Sequence, residues 1–138
     1  MKRKALWGLT ALVLALAVNV PFAVAQSARA TVPFDFAIAG KAMPAGTYSV
    51  SEIGDSEIRV ANSESSAVVL MHGQREERLT YQSAKLVFHK YGDKYFLAEV
   101  WNGAGNTGLQ LPAGKMEQEM RAASKAAGGS TEVVVALR

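Results

Sequence analysis

The clearest alternation of apolar and polar positions runs from Lys85 to Trp101, KLVFHKYGDKYFLAEVW, as two β-rich runs on either side of Gly92-Asp93. Glycine takes a positive φ without steric cost and aspartate tolerates it better than most residues, so the dipeptide suits a tight two-residue turn. With Tyr91 and Lys94 flanking the turn, an uninterrupted ladder pairs Phe88 with Leu97, His89 with Phe96 and Val87 with Ala98. The ribbon is then apolar on both faces. Leu86, Phe88 and Leu97 lie on one face, and Val87, Phe96, Ala98 and Val100 on the other. Such a ribbon needs cover twice, from a facing sheet and from a helix.

The rest of the chain supplies both. Thr31 to Ile38 (TVPFDFAI) places Val32, Phe34, Phe36 and Ile38 on one face at period two, with Pro33 marking a sheet edge or a strand start. Thr47 to Ile53 and Glu57 to Ala61 read as strands joined by a reversal at Gly54-Asp55, with Tyr48, Val50, Ile58 and Val60 inward. Asn62 to Ser66 is a polar loop. Ala67 to Met71 (AVVLM) is a short continuous apolar run, the pattern of a strand buried on both faces. His72 to Ser83 is charged and reads as a loop, with a short strand around Leu79 to Gln82. Asn102 to Gly108 (NGAGNTG) reads as the most flexible stretch.

A single helix is expected, opened by Leu111-Pro112-Ala113-Gly114. Met116, Met120, Ala123 and Ala127 form a narrow apolar stripe, and Gly128-Gly129 stops the helix. Glu117 and Arg121 are an i, i+4 pair in the favourable order. Thr131 to Leu137 (TEVVVAL) has the β-branched density of a strand that pairs with an earlier one. The expected fold is therefore mainly β: a small antiparallel sandwich or partly closed barrel of seven to eight strands, with one helix before the last strand.

The first residues do not belong to that pattern. Lys2, Arg3 and Lys4 precede an apolar run from Ala5 to Val20, and Ala23-Val24-Ala25 is a small-x-small cleavage site. These are the three parts of a secretory signal peptide, and the apolar run is short of the ~20 residues of a spanning helix. Residues 1–25 are expected to be removed, with Ala28-Arg29-Ala30 as a second candidate boundary, leaving 26–138 as one domain. Export to the periplasm or beyond follows.

Charge changes meaning with that removal. The chain has 15 basic and 12 acidic residues; the leader carries three basic and no acidic ones, which leaves 12 of each. A nucleic-acid or anionic-membrane partner loses its main support. There is no cysteine, so disulfides and thiolate metal sites are excluded and stability rests on packing and pairing.

PFDFAIAGKAMPAGTYSV (33–50) together with KLVFHKYGDKYFLAEVW (85–101) resembles a group of small exported bacterial proteins of unassigned function. The resemblance implies a signal peptide and one β-rich domain, and brings no substrate, cofactor or catalytic residue. Gly114 departs from the better helix cap, such as Ser, expected at that place.

Candidate chemistry is sparse. His72 and His89 lack HxH or HExxH spacing, so no metal is expected. Glu76-Glu77, between Arg75 and Arg78, read as a solvated patch. Asp35 is a buried acid, or faces solvent, or pairs with Lys41. No serine sits in GxSxG, and Gly103-Ala104-Gly105 lacks the GxGxxG spacing of a phosphate cradle. Tyr81, Tyr91, Tyr95 and Trp101 could line a binding face or serve ordinary cross-strand packing. Tyr95 and Trp101 are the candidate binding residues; no catalytic residue and no cofactor is expected. The sequence thus favours an exported, non-enzymatic binding or structural module of the cell envelope. Its partner would be an envelope protein or an apolar ligand, with no nucleic acid and no membrane insertion after cleavage. The alternative is a small envelope enzyme whose polar residues converge only in three dimensions.

Overall fold

The computed structural model describes residues 27–65, 67–125 and 128–138. The expected signal peptide and Ala127 of the helix stripe lie outside the described residues. The chain forms β1 (Ala28–Val32), β2 (Phe36–Ile38), β3 (Lys41–Met43), β4 (Gly46–Ile53), β5 (Glu57–Asn62), β6 (Val68–His72), β7 (Gln74–Gln82), β8 (Lys85–Tyr91), β9 (Lys94–Trp101), β10 (Gly105–Gln110), α1 (Lys115–Ser124) and β11 (Thr131–Ala136). One sheet has the order β1-β4-β5-β6. The other has the order β11-β8-β9-β10-β7, with β2 joining β9 and β3 joining β2. This is a sandwich with one helix before the last strand.

The core lies between the sheets. Leu86, Phe88, Leu97, Val100 and Leu109 of the second sheet join Tyr48, Val50, Ile58, Val60, Val69 and Met71 of the first in one cluster. Phe36 bridges them, edge-on to Tyr48 at 5.1 Å and to Phe88 at 5.2 Å between ring centroids. Each fully buried side chain of this size contributes about 1.5–3 kcal/mol through removal of apolar surface from water.

Backbone chemistry explains where the alternation holds and where it breaks. TVPFDFAI keeps Val32, Phe36 and Ile38 buried, but it is not one strand. Pro33 has no N–H to donate, and the chain leaves the first sheet there and enters the second at Phe36. Asp35 faces solvent, one of the arrangements expected for it; it is not a buried acid, and among the described residues it is not paired with Lys41. Its Oδ1 accepts the Ala45 N–H at 2.8 Å, holding the β3–β4 turn.

The β8–β9 ribbon turns at Gly92-Asp93 as expected, with Gly92 at φ +60°. Phe88 pairs with Leu97 and His89 with Phe96, but Val87 pairs with Glu99 instead of Ala98. An extra residue is taken up between Leu97 and Glu99. That bulge exchanges the faces beyond it: Val100 enters the core beside Leu86, while Glu99 and Trp101 move to the outer face.

Other expectations are corrected. Ala67 to Met71 is not buried on both faces: Val69 and Met71 are inward, while Val68 and Leu70 are 38% and 59% exposed on the edge strand β6. The charged run after His72 is the nine-residue strand β7, which contains the short strand expected around Leu79 to Gln82 and extends it back to Gln74 in place of a loop. Much of NGAGNTG belongs to β10, which pairs with both β7 and β9. Among the described residues eleven strand segments replace the expected seven or eight, because Pro33 divides one expected strand and β3 and β10 form where a turn and a loop were expected. β11 pairs with β8 from Thr131 to Ala136, as the C-terminal strand was expected to. Beyond it, Arg29 and Arg138 exchange backbone hydrogen bonds of 2.7 and 2.8 Å, tying the two sheets along one side. Among the described residues no helix is long and apolar enough to cross a membrane.

Candidate functional site

The outer face of the second sheet carries the ionisable groups that converge. The bulge in β9 and the polar positions of β8 put His89, Tyr91, Glu99 and Trp101 on it, and α1 and β7 supply their partners. α1 docks by a polar contact, not by its methionine stripe. Met116 is 57% exposed, Ala123 is exposed, and the buried helix residue is Glu117, 4% exposed. The physical reason is what the sheet offers there: an imidazole and a phenol, which a carboxylate satisfies and a thioether does not.

Three groups meet Glu117 Oε1. His89 Nδ1 lies at 3.0 Å, the Tyr91 hydroxyl donates at 3.4 Å, and an Arg121 guanidinium nitrogen lies at 3.6 Å. Arg121 Nε also donates to the Tyr91 oxygen at 3.2 Å. The hydrogen bond to Glu117 is the main cause that holds the His89 pKa above its ordinary value; partial burial opposes it. His89 therefore becomes the positive half of an ion pair at mildly acidic pH.

A second cluster surrounds Glu99, 6% exposed. Arg78 donates to both of its oxygens at 3.0 Å, and the Trp101 indole N–H donates to Oε2 at 2.8 Å. The Arg78 guanidinium lies 5.0 Å from the Trp101 ring centroid, so it neutralises the carboxylate and covers the indole together. Trp101 lies flat against β10 because residue 108 is glycine. A Cβ there would stand 2.6 Å from the ring and 2.9 Å from the Val100 oxygen.

Between these polar clusters and the ribbon's turn lies an apolar groove. Its floor is Ala37, Ala42 and Phe96, and the exposed Met116 forms one wall. It consists of a cavity of about 100 Å³ under the start of α1 and an adjoining one of about 460 Å³ that reaches Asp35, Asp93, Lys94 and Tyr95. Ala39 on its edge has φ +51°, a left-handed conformation uncommon for a residue with a Cβ.

The candidate aromatics do not come together. Tyr95 reaches the groove and is stacked on Phe34 at 3.8 Å. Trp101 is buried under Arg78, outside the groove. Tyr91 is buried in the His89 cluster, and Tyr81 is exposed on β7, donating to the Gly103 carbonyl. His72 is exposed, 3.7 Å from Glu57. Arg78 joins Glu76 to Glu99, so the Arg75–Arg78 run is partly structural. Among the described residues no three His, Cys, Asp or Glu side chains are grouped to hold a metal ion. Sequence reasoning missed Glu117 as a buried partner and Arg78 as the surface cation that answers the buried Glu99. The i, i+4 order of Glu117 and Arg121 was the one available signal.

No protein-family model matches the chain, and no curated protein or solved structure matches it.

Proposed function

We propose that the protein is an exported, non-enzymatic binding module of the cell envelope, and that the groove beside the β8–β9 turn receives an apolar group of its partner. The observation that carries this is the apolar floor of Ala37, Ala42 and Phe96 beside a methionine left 57% exposed. A volume of about 460 Å³ lies within the ordinary range of ligand pockets, and an unbranched thioether wall adapts to what enters. Asp35, Asp93 and Lys94 at the edge supply polar anchors. Tyr95 is the candidate binding residue that this reading retains.

Export supports the choice of partner class. Cleavage after Ala25 leaves β1 intact, whereas cleavage after Ala30 would remove three of the five residues that pair with β4. Mass measurement of the native protein tests the boundary. For the groove, Met116→Lys together with Ala42→Asp changes two exposed side chains. Loss of a co-purifying envelope protein or lipid at an unchanged melting temperature supports the reading. Full retention of the partner by this variant refutes the groove as its site.

A second reading, an acid–base enzyme, draws on the convergence of His89, Tyr91, Glu117 and Arg121. Those contacts join α1 to the sheet, and among the described residues no serine or threonine hydroxyl is hydrogen-bonded to His89. Turnover of an ester or glycoside panel that is lost in His89→Gln, at unchanged fold, would favour the enzyme.

A further inference from the structure

We propose that the cleft where β1 and β11 meet binds a phosphate group, held by the side chains of Arg29 and Arg138. The cleft shares no lining residue with the groove beside the β8–β9 turn, so this site stands independently of that one.

Backbone geometry carries the argument. The Arg29 N–H donates to the Arg138 oxygen at 2.7 Å, and the Arg138 N–H donates to the Arg29 oxygen at 2.8 Å. A mutual exchange of this kind is the hydrogen-bonded pair of an antiparallel ladder, with Cα atoms about 5.5 Å apart and both side chains on one face. That face is the outer one: Ala30 and Leu137, their chain neighbours, are buried, and both arginines are exposed. Two guanidinium groups are thus set side by side. Like charges directly opposite each other on a ladder repel and destabilise it.

No carboxylate side chain answers them. All 12 acidic residues of the chain lie among the described residues. None of them forms a salt bridge with Arg29 or Arg138, not even Glu52, which lines a neighbouring cavity with Arg138. The Arg138 oxygen that accepts from Arg29 lies in the plane of the ladder, away from the outer face. Arg75, Arg78 and Arg121 differ, since each donates to an oxygen of the chain.

Away from this pair β1 follows β4 and β11 follows β8, so the two strands part. They leave a cleft of about 450 Å³ lined by Arg29, Thr31, Thr47, Val135, Ala136 and Arg138. Thr31 is two residues from Arg29 and shares its face. Thr31 and Thr47 are ladder partners with hydroxyl oxygens 3.4 Å apart. The cleft therefore offers two guanidinium forks and two hydroxyls. A phosphate, with four tetrahedral oxygens, can use all of these donors. A carboxylate, with two oxygens in one plane, is filled by a single fork.

The test uses the chain expressed with its own leader, purified as processed and freed of phosphate. Intact mass is read first, and a terminus beyond Arg29 overturns the site. Amide NMR at low ionic strength then follows titration with sodium phosphate, glycerol phosphate and acetate. We expect both phosphates to shift the Arg29, Thr31, Thr47 and Arg138 amides saturably, and acetate to bind about tenfold more weakly. Arg29→Gln and Arg138→Gln should each weaken phosphate binding about tenfold at an unchanged melting temperature, and Arg29→Lys should weaken it less. Arg59→Gln is the control. Arg59 pairs with Ser51 on the same outer face but does not line the cleft, so its loss removes an equal charge and should leave binding unchanged. Tighter binding of glycerol phosphate supports the site with an esterified phosphate as its ligand; tighter binding of sodium phosphate supports it with the free ion. Equal loss in Arg59→Gln, equal affinity for acetate, or full binding by both Arg29→Gln and Arg138→Gln overturns the site. So does binding of phosphatidylglycerol vesicles without a shift from either small phosphate, which would make the patch a membrane contact.

Discussion

Glu117→Gln tests whether a charge holds the helix on the sheet. The substitution keeps the size of the side chain and one acceptor oxygen, but removes the charge that faces His89 at 3.0 Å and Arg121 at 3.6 Å. A hydrogen bond to a charged group is worth about 1.5–3 kcal/mol, and loss of one partner from a buried pair costs up to about 3–5 kcal/mol. Glu117 is buried, but the Arg121 side chain is 47% exposed and contributes little through solvent screening. His89 is the effective partner, at 22% side-chain exposure, and the expected loss is about 1–2 kcal/mol at pH near 5.5. The sign of the pH dependence follows from the raised folded-state pKa of His89. The contribution is complete below the unfolded histidine value of about 6.5 and is lost as pH rises through the folded value. Glu117→Gln should therefore destabilise strongly at acidic pH and less at pH near 9. Urea melts at both pH values, with an NMR titration of His89 in parent and variant, measure it. Equal destabilisation at the two pH values, or a His89 pKa at or below about 6.5 in the parent, would refute the ion-pair account.

Gly108→Ala should lower stability by about 1–3 kcal/mol, because its Cβ meets the Trp101 ring and the Val100 oxygen; urea unfolding with tryptophan fluorescence reads both the loss and the ring's displacement. Gly92→Val should cost about 1–2 kcal/mol by backbone strain alone, since nothing lies within 4 Å of a Cβ there; an unchanged melting temperature would place the turn elsewhere. Arg78→Ala should cost about 2 kcal/mol by leaving the Glu99 charge with only the Trp101 N–H, and Glu99→Gln in the same chain should recover part of it in a double-mutant cycle. Ala39→Gly should stabilise by about 0.5–1 kcal/mol because φ +51° is strained for alanine; calorimetry decides the sign.

Period-two patterning made the fold class legible because local alternation and tertiary burial agree over most strands. Tyr48 with Val50, Ile58 with Val60, and Phe88 with Leu97 all sit where alternation puts them. It failed where a tertiary choice overrode local pattern. The charges of Arg75 to Arg78 suggest a loop only when their partners are unknown. On β7, Arg75 donates to the Asp55 carbonyl and Arg78 bonds Glu99, so the same charges serve a strand. Glycines of NGAGNTG suggest flexibility, yet Gly108 is in β10 because a flat indole leaves no room for a side chain.

The candidate site was harder to read than the fold for a related reason. One unpaired residue in β9 decides which side of the sheet carries Glu99 and Trp101, and nothing in KYFLAEVW marks where the bulge falls. Without it, Trp101 stays on the face of Tyr95, Phe88 and Leu97, so the two candidate aromatics share one side of the ribbon. With it, Trp101 goes under Arg78, and Glu99 becomes a buried charge that must be answered from β7. The helix followed the same logic. Its apolar stripe was real in sequence, but the sheet beneath it presented His89 and Tyr91, and the helix turned its carboxylate toward them. Met116 was thereby left at the surface beside Ala42 and Phe96, so the groove is a consequence of polar docking on one side of the helix.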